Sequence, residues 1–80
     1  MLSSKQCRAA RGLLDWTQEE LANRAGVSRG TVRGFENGQH DLRRASAAMI
    51  RTTLEQTGVL FIEADGLGEG VRYRSSLIQK

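Results

Sequence analysis

Cysteine, histidine and long apolar runs are nearly missing from this sequence, and each gap closes off a class of protein. A single cysteine, Cys7, in eighty residues rules out an intrachain disulfide. A chain this small is therefore held by tidy helix packing or by self-association, not by covalent staples. A lone thiol fits a reducing compartment. With one histidine, His40, and one cysteine, there is neither a nucleophile–base pair nor a set of metal ligands. Cys7 is expected to be a small buried apolar residue. No apolar run approaches the roughly 20 residues that span a bilayer, and the first residues lack the apolar centre of a signal peptide. The expectation is a cytoplasmic chain with no membrane contact. Internal repeats and low-complexity tracts are absent. Gly66, Gly68 and Gly70 fall in a turn, not between a strand and a helix, so they form no phosphate loop. No cofactor and no catalysis are expected.

What the chain does have is arginine. Twelve basic residues stand against nine acidic ones for a net charge of +3, and ten of the twelve are Arg. Six of them (Arg24, Arg29, Arg33, Arg43, Arg44, Arg51) crowd one stretch that holds only Glu36 and Asp41 as acids. The planar guanidinium fork holds phosphate or guanine in two-point fashion. A cluster of this kind is either an ordinary solvated face or a surface for nucleic acid.

The cluster overlaps the best-defined stretch of the chain, Thr17 to Gly38. Thr17 and Glu20 stand at the spacing of a capping box, and Trp16 and Leu21 at that of a hydrophobic staple. The pattern then recurs, with Ser28 as cap and Val27 and Val32 as staple. Gly26 lies where the chain must leave the first helix, and a positive φ is expected there. Leu21, Ala22, Ala25, Val32 and Phe35 supply the apolar faces. Two capped helices pivoting on a glycine make a helix-turn-helix, the unit that offers its second helix to the DNA major groove.

Around it, Ser3-Ser4 can cap a helix over about Ser4–Leu14, with Cys7, Ala10 and Leu14 as its inner stripe. Asp15-Trp16 connects to a helix at Gln18–Ala25, followed by one at Arg29–Asn37 that Gly38 stops. Asp41 is the expected cap of a fourth helix, about Leu42–Gln56, with Ala47, Ile50 and Leu54 facing inward. Beyond Gly58, the β-branched and aromatic run Val59–Ile62, a turn-rich Asp65–Gly70 and the alternating Val71–Arg74 read as a β-hairpin, with Ser75–Lys80 loose. The domain reading is residues 1–58 as the helix-turn-helix domain, with 17–38 as the motif itself, and residues 59–80 as hairpin and tail.

The segments Trp16–Ala22, Ala25-Gly26-Val27-Ser28 and Phe35-Glu36-Asn37-Gly38 resemble the DNA-binding core of the Cro and lambda-repressor-like family of prokaryotic and phage regulators, also called the xenobiotic-response-element family. The likeness covers Ser4 to about Gln56. It implies a mainly α, compact four-helix bundle, to which this chain adds the C-terminal β-hairpin. By the same resemblance Gln18 contacts a phosphate and braces the recognition helix, with Thr17 beside it. The recognition positions fall on Ser28, Arg29, Gly30, Thr31, Arg33 and Gly34, while Asn37, Arg43 and Arg44 touch phosphates. Arg11 is implied to pair internally with Glu36. Arg29, at the entering end of the helix, can fork onto guanine O6 and N7.

One feature strains the likeness, and another lies beyond it. Gly30 and Gly34 carry no side chain where relatives often read bases, and the pair is expected to leave a flat notch. The hairpin run Val59–Ile62 is apolar on both faces, because successive strand residues point in opposite directions. Leu60, Phe61, Ile62 and Tyr73 are therefore expected to form a homodimer surface. The leading reading is a sequence-specific regulator that binds double-stranded DNA as a homodimer. The alternative is a protein-binding module on the same scaffold, an anti-activator or antitoxin, favoured by the notch and the hairpin.

Overall fold

Residues 2–74 are described by the computed structural model; the expectation for Ser75–Lys80 lies outside them. The elements in order are α1 (Ser4–Leu14), α2 (Gln18–Ala25), α3 (Arg29–Glu36), α4 (Arg44–Gln56), β1 (Val59–Ile62) and β2 (Gly70–Tyr73). The architecture is the expected mainly helical bundle with one two-stranded antiparallel hairpin.

Local chemistry explains the first three helices. Ser3 caps α1 in a full capping box: its hydroxyl accepts from the Gln6 N–H at 3.1 Å while Gln6 Oε1 accepts from the Ser3 N–H at 3.1 Å. Thr17 and Ser28 cap α2 and α3 through the backbone N–H of Glu20 and Thr31. The box expected at Thr17 is only half formed. Glu20 does not return to the cap; its carboxylate accepts from Arg24 at 3.1 Å, one turn further along. Gly26 leaves α2 at φ 77°, a left-handed conformation that needs no side chain. Asp15 ends α1 in the same region at φ 58° without being glycine.

The fourth helix departs from expectation. It begins at Arg44, not Leu42, and Arg43 occupies the cap position with no side-chain hydrogen bond to the first turn. Asp41 lies earlier, in a loop where its backbone carbonyl meets Nδ1 of His40 at 3.0 Å. Leu42 instead packs against the core.

Leu21, Val32, Ile50, Leu54, Val59 and Cys7 are wholly buried, with Ala10, Ala22, Ala25, Phe35 and Leu2 completing the core. Each large aliphatic residue among them contributes about 1.5–3 kcal/mol by leaving water. Leu14 and Ala47, expected to face inward, are only partly covered.

In the hairpin, Val59 pairs with Tyr73, Leu60 with Arg72, Phe61 with Val71 and Ile62 with Gly70. Directly paired residues share a face. Val59, Phe61, Val71 and Tyr73 thus lie on one side, and Leu60, Ile62 and Arg72 on the other. The first side packs on the helices: Val59 is buried, and Phe61 and Val71 are partly covered. Buried Gln6 ties α1 to the ribbon by donating from Nε2 to the carbonyls of Ile62 at 3.2 Å and Gly70 at 3.0 Å. The set Leu60, Phe61, Ile62 and Tyr73 is consequently split between two faces and does not form one patch.

Candidate nucleic-acid interface

The recognition helix is set by what lies beneath it. Val32, Phe35 and Glu36 are buried, and each residue of an α-helix turns about 100° from the last. Arg29, Gly30, Arg33 and Asn37 point away from the core and are exposed. Ser28 and Thr31, at the entering end, share a hydroxyl–hydroxyl hydrogen bond of 2.8 Å. Arg29 lies 4.0 Å from Glu19, both well exposed.

Glu36 anchors this helix from below. Its carboxylate is buried and receives four donors: Nε and Nη2 of Arg11 at 2.9 and 2.7 Å, Nε2 of Gln18 at 3.0 Å and the Cys7 thiol at 3.0 Å. Arg11 also donates from Nη1 to the Trp16 carbonyl at 2.9 Å. Arg8 reaches the backbone carbonyl of Glu36. Burial pushes the Glu36 carboxyl up, but the hydrogen bonds from Arg11, Gln18 and Cys7 outweigh it and hold the group below the usual carboxylate range. The same bond to Glu36 raises the Arg11 guanidinium further. Burial, then the bond to Glu36, drives the Cys7 thiol strongly upward, so it stays protonated as a donor. The implied Arg11–Glu36 pair is therefore in place. Gln18 joins it, so the residue assigned to a phosphate is fixed to the recognition helix through a buried carboxylate.

The arginine cluster divides in two. Arg24 lies 4.5 Å over the Trp16 ring and bonds Glu20, and Arg51 bonds Glu55 and Glu63 and lies 4.9 Å over Phe61. Both are engaged within the chain. Arg33, Arg43 and Arg44 are exposed and, among the described residues, make no ion pair. Arg43 lines a hollow with Thr31, His40, Asp41, Leu42 and Ser46, which brings the start of α4 beside the recognition helix.

Gly34 departs from expectation. It is buried, because the His40 ring sits on it. A Cβ built at Gly34 would stand 2.3 Å from His40 Nε2 and 2.8 Å from its Cδ2. The flat notch is thus filled at one end, and only Gly30 remains open. The notch, one of the two features that favoured a protein-binding module, is thereby reduced to a single open glycine. His40 is a residue of this surface that the sequence does not reveal. Its position depends on the turn after α3, and no spacing in the sequence reports it.

Among the described residues no group of three His, Cys, Asp or Glu side chains could hold a metal ion, and no helix is long and apolar enough to cross a membrane. A helix-turn-helix family model matches residues 8–54, more than half of the chain and all four helices except the ends of α1 and α4. No curated protein matches the chain.

Proposed function

The chain belongs to this helix-turn-helix family of DNA-binding domains, and from that premise we propose that it is a sequence-specific transcriptional regulator of the Cro and lambda-repressor kind, docking α3 in the major groove of an operator. The observation that carries the reading is the division of α3 itself. One side is locked to the core by Val32, Phe35 and Glu36, and the other exposes Arg29 and Arg33 with Arg43 alongside.

Arg29 reads a base, most simply guanine through its two acceptors, and Arg33 reaches a base or the backbone one turn on. Thr17, Gln18, Asn37, Arg43 and Arg44 position the protein on phosphates. The N-terminus of α4 suits that task, since its first turn holds no acid and its cap side chain leaves the N–H groups uncovered. Ser28, Thr31 and Gly30 border the same groove contact.

A homodimer places two recognition helices to read half-sites about 34 Å apart on one side of the duplex. The outer hairpin face, with Leu60 at 39% exposure and Ile62 beside it, is the contact we assign to the second copy. Sedimentation at tens of micromolar should show a dimer that Leu60→Arg dissociates; a monomeric wild type would exclude it.

Selection of duplexes from a random library, followed by a salt titration on the winner, tests the main reading. Release of two to four counterions per chain predicts a slope of log affinity on log salt of roughly −2 to −4 per chain. Failure to enrich any sequence, or affinity indifferent to salt, would refute it.

A further inference from the structure

Gly34 belongs to the outward face of α3. It lies two residues from buried Val32, about 200° round the helix, as does exposed Gly30 on the other side. By helix geometry alone it should be open to solvent, yet it is buried. The cover comes from the loop. Past Glu36 the chain turns at Gly38, whose φ is 78°. The Gly38 N–H bonds the Phe35 carbonyl at 3.1 Å, and the Gln39 N–H bonds the Gly34 carbonyl at 2.8 Å. This doubly bonded, left-handed ending sends the chain back along the helix it has just left. His40 is the next residue, and its ring lands on Gly34, which has no Cβ to refuse it. Nδ1, at 3.0 Å from the Asp41 carbonyl, fixes the ring from the loop side. The residue as a whole remains exposed and borders the hollow shared by Thr31, Arg43 and Ser46.

We propose that His40 is a specificity-determining residue of the DNA interface, a side chain lent by the loop to the recognition face at the position where α3 itself carries only glycine. The inference rests on the reading of the chain as a DNA-binding regulator and adds to it a base-contacting group beyond Arg29 and Arg33. It also gives Gly34 a role: the glycine seats the imidazole and does not itself meet DNA. Nδ1 is taken by the Asp41 carbonyl and Nε2 is the ring atom nearest Gly34. The ring therefore meets a base edge through its flat, largely apolar surface, as against a thymine methyl, and not through a hydrogen bond. Resting against the helix and bonded to the loop, the ring already lies on the recognition face before DNA arrives.

The experiment compares wild type, His40→Ala, Gly34→Ala and the double variant in duplex selection and in affinity measurements on the wild-type winner and its single-base changes. His40→Ala should lose roughly fivefold to tenfold of discrimination at one or two base pairs, distinct from those that depend on Arg29. Gly34→Ala should fold, because only a movable ring stands in the way of the new methyl, and should lose the same preference by evicting that ring. The double variant should then be no worse at those base pairs than His40→Ala alone. An unchanged preference in His40→Ala, or a loss spread evenly over all sequences, overturns the assignment while leaving the regulator reading intact. A wild type that enriches no duplex overturns both.

Discussion

Removing the Arg11 guanidinium should be among the most damaging single changes to this fold. Arg11→Ala deletes two hydrogen bonds to Glu36 and one to the Trp16 carbonyl. It leaves a carboxylate with a fully buried side chain and only Gln18 and Cys7 as donors. Stranding one partner of a buried pair costs about 3–5 kcal/mol. The lower figure applies, because two donors remain and the Arg11 side chain is 19% exposed. Against a total of about 4–12 kcal/mol for a chain of this size, a loss of about 3 kcal/mol lowers the melting temperature by about 12–24 °C. Circular-dichroism melts at pH 7 give the number directly. Two controls separate a stranded charge from lost packing. Adding Glu36→Gln to Arg11→Ala should recover part of the loss, because the amide needs no counter-charge. Acidifying the single variant should also narrow its gap to wild type, as the unpaired buried carboxyl takes up a proton. Equal melting temperatures for wild type and Arg11→Ala, or strictly additive effects in the double variant, would refute the reasoning.

The same network sets the response of the wild type to acid. Glu36 titrates below its ordinary range when folded, so its contribution is present above the unfolded value of about 4.3 and fades as pH falls through the folded one. Melts below about pH 4 should show this loss, and it should be largely absent in Glu36→Gln. Gln6→Ala should loosen the hairpin before the helices: it strips a donor from the Ile62 and Gly70 carbonyls, at about 1–3 kcal/mol. Amide exchange in β1 and β2 should quicken while that in α2 and α3 holds, and uniform exchange would argue against this anchor. Gln18→Ala should weaken binding to all duplexes by a similar factor, because it positions the protein and reads no base; a change confined to one base pair would contradict that role.

The helices and their caps were largely legible because each is written within a few residues. Ser3, Thr17 and Ser28 sit directly before apolar periodicity, and Gly26 marks the only exit from α2 that a short turn allows. The Arg11–Glu36 pair was reachable only through family resemblance, since nothing local links positions 25 apart. Features settled by tertiary contact escaped. Glu20 had two partners within reach, Thr17's N–H and Arg24, and the sequence did not rank them. Asp41 looked like a cap, but α4 starts at Arg44, and Leu42 lies before it, partly buried against the core. Gly34 read as an open notch because helix spacing says which way a residue points and is silent on what a later loop lays over it. Alternation correctly separated Leu60 from Val59 and Phe61. The pairing register was needed to place Tyr73 opposite Val59, on the face of Phe61 and away from Leu60 and Ile62.

The central claim is that this chain reads sequence through the exposed face of α3. The most direct measurement is the ratio of affinities for the selected duplex and a scrambled duplex of equal length, for wild type and for Arg29→Ala, at one fixed salt concentration. Loss of a guanine fork removes about 1–3 kcal/mol of discrimination. The ratio should therefore fall roughly fivefold to 150-fold in Arg29→Ala, while affinity for the scrambled duplex drops far less. A ratio that is the same in both proteins, or a wild-type ratio near one, would contradict the account.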